Sequence, residues 1–321
     1  MPRFPVEYVL PLKWQDDSRL PELVRYLHHL KNGADVTVVD GSPAELFEEH
    51  AQVLPSDVRH MRPEFWPGGN GKVAGVMTGV RHARHELVVV ADDDVRYGPV
   101  TFRALVEQLE RADLVRPQNY YDPLPWQARW DTARMLINRA FGADYPGTLG
   151  FRRSALMNTG GYDGDVLFEN LELIRTITSA GGRETNALDL YVRRLPPTPE
   201  QFADQRVRQA YDSLAQPARL AVELALLPAA IATRGRPLPL LVGALTAVAV
   251  AEVGRRRRAG RTVFPATSAL WAPLWVAERA VTSWVALAQR ATGGVRYSGT
   301  RIKRAASARG FAGRPRVRSR A

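Results

Sequence analysis

The chain has 321 residues, 45% of them hydrophobic, enough to bury a sizeable core in one large domain with an appendage. The absence of cysteine excludes disulfides and thiolate metal sites and fits a reducing compartment. The formal net charge of +11 is unevenly placed: residues from Gly254 to Ala321 hold sixteen Arg and Lys against one acid, Glu278, so this tail carries +15 and the remainder −4.

Met1 to Trp14 has no apolar run of signal-peptide length, so the N-terminal domain is expected to stay in the cytosol. Short β-rich runs then alternate with helical patterns, which specifies an α/β fold with a mostly parallel sheet. Strand 6–12 precedes helix 20–30, strand 35–40 precedes helix 43–50, and helix 72–84 precedes strand 86–91. Further on, a helix over 131–141, a strand over 145–151, a helix over 167–180 and a strand over 188–195 complete the pattern. Ligands of open α/β sheets bind beyond the carboxyl ends of the strands, which directs attention to Lys13, Asp40 and the run Asp92, Asp93, Asp94.

That run ends the buried-type strand Val88-Val-Val-Ala91. Three adjacent carboxylates repel one another, whereas a hard divalent cation prefers oxygen ligands and keeps substrate phosphate in its shell. The alternative is a solvated acidic turn. Asp40, followed by Gly41, can bind a base or ribose, or can make an ordinary turn. Gly68-Gly-Asn-Gly-Lys72 lacks Walker spacing, since Trp66 and Val73 stand where Gly and Ser or Thr are required. A glycine-rich turn presenting Lys72 to an anionic ligand and a plain flexible loop both remain.

The C-terminal third is of another kind. Residues 206–232 read as helical with Pro217 and Pro228 as interruptions, and 220–232 is largely apolar. Residues 237–254 form a nearly uncharged stretch about long enough to cross a hydrocarbon core. If both segments insert, they form a hairpin over 220–253, with Arg255 to Arg258 meeting an anionic lipid surface. Residues 268–290 place Trp271, Trp275 and Trp284 on an amphipathic helix that suits a membrane interface, or else packs on the catalytic domain. The arginine-rich end lacks the interleaved aromatics of a nucleic-acid site, so no nucleic-acid partner is expected. Low hydrophobicity and high charge from Arg301 to Ala321 predict disorder in the basic tail over 292–321.

The strand ending Val38-Val-Asp-Gly-Ser42, the turn Gly71-Lys72 and the segment Asp92 to Pro99 occur in the order and spacing of the GT-A domain of inverting family 2 glycosyltransferases, which the stretch 6–214 resembles. The resemblance implies a Rossmann-like GT-A fold, Asp40 at the nucleoside, Lys72 near the donor, Asp92 and Asp93 at the diphosphate, and Mg2+ or Mn2+ held by Asp94 and Asp92. The segments Leu10-Pro11-Leu12-Lys13 and Asp92 to Pro99 also resemble the ceramide glucosyltransferase branch, which implies Pro11 and Lys13 at the donor site and a lipid acceptor. Gln205-Arg-Val-Arg208-Gln209 resembles the family's Gln-x-x-Arg-Trp motif, so Gln205 and Arg208 are expected at the diphosphate, with Gln209 in place of Trp.

Gly160 to Leu173 resembles the segment that supplies the family's catalytic base, but Asn170 stands where an Asp is usual. An inverting transfer needs a carboxylate to take the acceptor hydroxyl proton. Glu169 is the favoured substitute, with Glu172 one helical turn away and Asp165 as alternatives. First-turn acids favoured by the helix dipole are the plain reading.

The sequence thus predicts a GT-A catalytic domain over 1–215, membrane-associated helices over 216–291 and a basic tail over 292–321. The expected activity is metal-dependent transfer from a nucleotide-sugar donor, UDP-linked, to a lipid or lipid-linked acceptor at the cytoplasmic face of the cell membrane. A polysaccharide-type synthase and an inactive membrane scaffold are the rival readings.

Overall fold

A computed structural model describes residues 3–297, 299–308 and 310. In chain order its elements are β1 (Val6–Leu12), α1 (Leu20–Leu30), β2 (Asp35–Asp40), α2 (Ala44–Val53), β3 (Arg59–Met61), α3 (Gly71–His82), β4 (Leu87–Ala91), β5 (Val95–Arg96), α4 (Pro99–Leu109) and β6 (Leu114–Tyr121). There follow α5 (Trp126–Phe141), β7 (Thr148–Arg152), α6 (Arg153–Met157), α7 (Glu169–Ser179), β8 (Glu184–Arg194), α8 (Pro199–Tyr211), α9 (Pro217–Ala232), α10 (Pro237–Arg256), α11 (Ala272–Ala291), β9 (Val295–Tyr297) and β10 (Thr300–Ile302).

Eight strands form one mixed sheet in the order β3-β2-β1-β4-β7-β6-β8-β5. The chain divides into two compact units. The first comprises residues up to Pro117, Pro146–Ala187 and the stretch from Ser307; the second comprises Gln118–Tyr145 and Leu188–Ala306. Segments 118–145 and 188–215 thus belong to the same unit as the later helices.

In the first unit, β1 pairs in parallel with β2 and β4, and Val6, Tyr8, Val9 and Leu10 are buried between flanking helices. Such two-sided burial is why β1 and β4 read as continuous apolar runs rather than alternating ones. The register sets Leu12 opposite Asp40 and Val9 opposite Val90, so the chain leaves β1, β2 and β4 along one edge of the sheet. Beyond β4 the pairing turns antiparallel, β7 pairing in that sense with both β4 and β6. The expected α/β sheet is thus mixed, with β3, β2, β1 and β4 parallel.

In the second unit, α10 packs on α5 through a stripe of small residues, Ala247, Ala251 and Gly254, set against Ala133 and Leu136. Its larger residues Leu238, Leu241 and Leu245 are 68%, 56% and 59% exposed. α11 is more than a surface helix: Trp275, Arg279, Ser283 and Ala286 are buried, while Leu274, Val281 and Trp284 are exposed. The expected interfacial helix over 268–290 therefore begins as a 3-10 turn over Ala266–Trp271 and buries one face in its own unit. Within the tail expected to be disordered, β9 and β10 pair as an antiparallel hairpin; residues 311–321 lie outside the described residues.

Candidate active site

The three strand ends that share an edge hold most of the chemistry. Gly41 N donates to Leu12 O at 2.8 Å, and Trp14 N donates to the Ser42 hydroxyl at 2.9 Å, so the exits of β1 and β2 are stitched together. The Trp14 indole donates to Asp93 Oδ2, which adds the exit of β4. Pro11, half-buried in β1, lies where α3 approaches at Gly75, and Lys13 is exposed just beyond.

Asp40 is fully buried. One oxygen accepts from Ser42 N at 2.9 Å; the other accepts from His50 Nδ1 at 2.5 Å and His60 Nε2 at 3.1 Å. His50 also donates through Nε2 to Asp17 at 2.9 Å. A carboxylate only accepts, so an imidazole held between two of them carries a proton on each nitrogen. Burial opposes charge on Asp40, but the hydrogen bonds from His60, His50 and Ser42 outweigh it and hold its carboxyl well below the ordinary range. Burial likewise works against protonated His50, and the bonds to Asp40 and Asp17 prevail, raising its pKa. Around this pair, His60 stacks on Phe47 at 4.1 Å and Arg62 lies 3.8 Å over the other ring.

A second construction joins the glycine turn before α3 to the loop before α7. Gly68 has φ of 119°, and a Cβ there would lie 2.2 Å from the Gly164 carbonyl carbon, so only glycine allows these backbones to meet. The Trp66 indole donates to Tyr162 O, Gly69 N to Asp165 Oδ1 and the Asn70 amide to Val166 O, each at 2.9 Å. Asn70 also caps α3 by accepting from Lys72 N, which fixes the residue that follows. Lys72 then reaches two carboxylates: its Nζ is 2.5 Å from Asp92 and is also hydrogen-bonded to Glu169.

Lys72, Asp92 and Glu169 thus form one ion-paired cluster at the end of β4, with Asp93 bound to Trp14 and Asp94 next in the chain. Glu172, one turn beyond Glu169, is elsewhere engaged: it is fully buried and its Oε2 accepts from Ser307 N at 2.6 Å. Spacing suggested a common focus for the two glutamates, but the closing segment of the unit takes the second. Asp165 is exposed and tied to the glycine turn. Asn170 donates to Pro146 O at 3.1 Å, beside the Gly147 carbonyl that accepts from Asp92 N. Gln205 and Arg208 belong to the second unit, where the Arg208 guanidinium lies 5.6 Å from the Tyr297 ring. His50, His60 and Trp14 carried no motif signal; the strand-end position of Trp14, one residue after Lys13, was the available clue.

The sequence from 13 to 212 matches the model of the family described as glycosyltransferase like family 2. The chain belongs to that family and is a glycosyltransferase. Among solved structures, a mannosyltransferase from Pyrobaculum calidifontis in complex with GDP-Man and Mn2+ has a TM-score of 0.53 at 18% identity, covering 88% of this chain and 87% of that one. This likeness establishes the GT-A fold. Glucosyl-3-phosphoglycerate synthase from Mycobacterium tuberculosis, in complex with Mn2+, UDP and phosphoglyceric acid, scores 0.41 at 16% identity over 62% of this chain and 73% of that one. TarS residues 1–349 from S. aureus score 0.43 at 14% identity over 92% and 95%. No curated protein sequence matches the chain.

Proposed function

We propose that this glycosyltransferase moves a sugar from a nucleoside diphosphate sugar to a hydroxyl of a lipid or lipid-linked acceptor, with inversion, while attached to the cytoplasmic face of a membrane. The observation that carries the transfer reading is the Lys72 cluster, which ties the acid run after β4 to Glu169 through a single ammonium group.

The acid run suits a divalent cation, Mg2+ or Mn2+. Asp92, Asp93 and Asp94 are partly exposed oxygen donors at a strand end, and Asp92 already attracts a cationic side chain. Asp94 and Asp92 would hold the ion; when bound it would screen the diphosphate's charge. The fold likeness to a mannosyltransferase holding GDP-Man and Mn2+ supports this assignment.

The residues of the chain do the rest. Glu169 takes the proton of the acceptor hydroxyl as that oxygen bonds to the anomeric carbon, and the bond from that carbon to the diphosphate breaks on the opposite face. Lys72 supplies positive charge where negative charge develops, where fixed electrostatics lower a barrier. Trp14, His60 and Phe47 offer ring surfaces for the nucleoside, and buried Asp40 orders them through His60 and Ser42 rather than by open contact. Pro11 and Lys13 frame the same edge.

Membrane attachment rests on α10. The helix over Pro237–Thr262 is long and apolar enough to cross a bilayer, with mean hydropathy 1.7. It turns alanines and a glycine toward α5 and leucines outward, the arrangement of a helix whose outer solvent is lipid. Each outward leucine gains roughly 1.5–3 kcal/mol on leaving water. A lipid acceptor fits this placement, and the resemblance of 10–13 and 92–99 to ceramide glucosyltransferases supports it.

The test is UDP binding with and without metal. Wild-type protein should bind UDP with Mn2+ and lose it in EDTA, Asp94→Asn should lose the metal-dependent part, and Lys72→Ala should weaken binding less. Affinity that ignores EDTA would overturn the metal site.

A further inference from the structure

In the second unit, α8, the end of α11 and the β9–β10 hairpin line a cavity of about 600 Å3. Three arginines, Arg208, Arg296 and Arg301, face one acid, Asp204, in its lining. Several other arginines of the unit are matched by a carboxylate: Arg206 meets Asp131 at 2.9 Å, Arg219 meets Glu223 at 2.8 Å and Arg255 meets Glu252 at 2.6 Å. Among the described residues, none of the three cavity arginines has a carboxylate partner. Their contacts are instead neutral: Arg208 lies over the Tyr297 ring, and Arg301 donates to Thr292 O at 3.4 Å.

Arg301 has an ordinary reason to be there, since the carboxyl end of a helix attracts a cation. That reason does not extend to Arg208, which comes from another helix, or to Arg296 on the hairpin. Gathering three like charges around one cavity is unfavourable unless an anion offsets them. Planar guanidinium groups match phosphate oxygens in pairs, and three of them suit a group carrying more than one negative charge.

We propose that this cavity binds a phosphate group, and that its source is the headgroup of an anionic lipid such as a phosphomonoester. The phosphate chemistry rests on the cavity alone; the lipid source rests also on the membrane reading above, because the same unit exposes Leu238, Leu241 and Leu245 on α10 and Trp284 on α11. Ring and helix end orient Arg208 and Arg301, leaving further N–H groups of each for the ligand.

The experiment is flotation of the full chain with phosphatidylcholine vesicles, with or without phosphatidic acid, alongside thermal-shift titrations with inorganic phosphate and with UDP plus Mn2+. The double variant Arg296→Gln/Arg301→Gln should lose the phosphatidic-acid-dependent part of binding by about tenfold or more, while keeping phosphatidylcholine binding, the UDP shift and its melting temperature. Arg234→Gln/Arg236→Gln removes the same charge from the turn between α9 and α10 and should leave that preference in place. Tyr297→Leu keeps every charge, removes the ring beneath Arg208 and should weaken binding by a smaller factor. If inorganic phosphate stabilises wild type but not the cavity variant, and vesicles show no phosphatidic-acid preference, the site takes soluble phosphate and the lipid source is overturned. Equal loss in both double variants, or loss in neither, overturns the cavity as a phosphate site. Loss of the UDP shift in the cavity variant assigns these arginines to the donor and overturns a separate site, whereas loss of UDP binding confined to Asp94→Asn leaves it standing.

Discussion

At the scale of single residues, His50 is the side chain whose charge the fold most plainly dictates. Its pKa is raised in the folded chain from an ordinary 6.5, so its stabilising effect is complete below that value and fades as pH rises through the folded pKa. Asp40, depressed from 3.8, contributes fully above that value and loses its effect as pH falls toward its folded pKa. Melting temperature should therefore peak between about 4 and 6.5, and His50→Gln should flatten the alkaline side of the curve; parallel curves for variant and wild type above 6.5 would contradict this. Glu169→Gln separates chemistry from binding: turnover should fall roughly 100-fold or more with UDP and Mn2+ affinity nearly kept, measured by product formation and titration side by side. Full turnover in that variant would move the base elsewhere, and Glu172, buried on Ser307 N, is badly placed to replace it. The strand-end positions of Asp40 and Asp92 to Asp94, and the glycine turn before Lys72, were legible in the sequence because such features announce themselves locally. His50 and His60 were not, since they meet Asp40 from α2 and β3 at separations of ten and twenty residues that follow no motif.

At the scale of elements, local pattern and observed structure agree best where one apolar stripe meets one buried face. Helix 20–30 and strands 6–12 and 35–40 match their expected limits, with Leu23, Leu27 and Leu30 forming the buried stripe of α1. The misses have physical causes: β3 and β5 are too short to show a period, β6 carries Pro117 and Arg116 inside an eight-residue strand, and β8 begins at Glu184 with polar residues. Pro217 starts α9 at its first turn, where a missing N–H costs nothing, instead of interrupting a longer helix. α10 shows what length and hydropathy omit, namely how closely it approaches its neighbour. A Cβ on Gly254 would lie 1.8 Å from Leu136 O, so Gly254→Leu should force α10 from α5 and lower stability by about 1–3 kcal/mol or more. Chemical denaturation in detergent would measure it, and an unchanged midpoint would show that the contact yields easily.

At the scale of the molecule, the charge division seen in the sequence corresponds to helices that carry both arginines and outward leucines, and this pairing predicts firm membrane association. The chain should stay with membranes through alkaline carbonate washing, and replacing Leu238, Leu241 and Leu245 together by Ser should release it; release of wild type would count against a lipid-facing α10. Because the sequence lacks cysteine, Gly235→Cys gives a unique thiol in the turn between α9 and α10. Labelling from outside intact cells is expected for a hairpin that crosses, and labelling only after lysis would exclude it. The two-unit organisation was invisible in the sequence, because no composition shift marks residues 117, 146 or 187. The chain returns to the first unit at Ser307, whose N–H meets Glu172 and whose carbonyl accepts from Arg175 at 2.6 Å. During synthesis this has an effect on timing: the first unit starts with the earliest strands, waits through two excursions of the chain into the second unit, and receives the partner of Glu172 only when residue 307 has been made. Until then the backbone N–H that Ser307 gives to Glu172 is not yet in place, so the first unit is completed only after the helices of the second have been made.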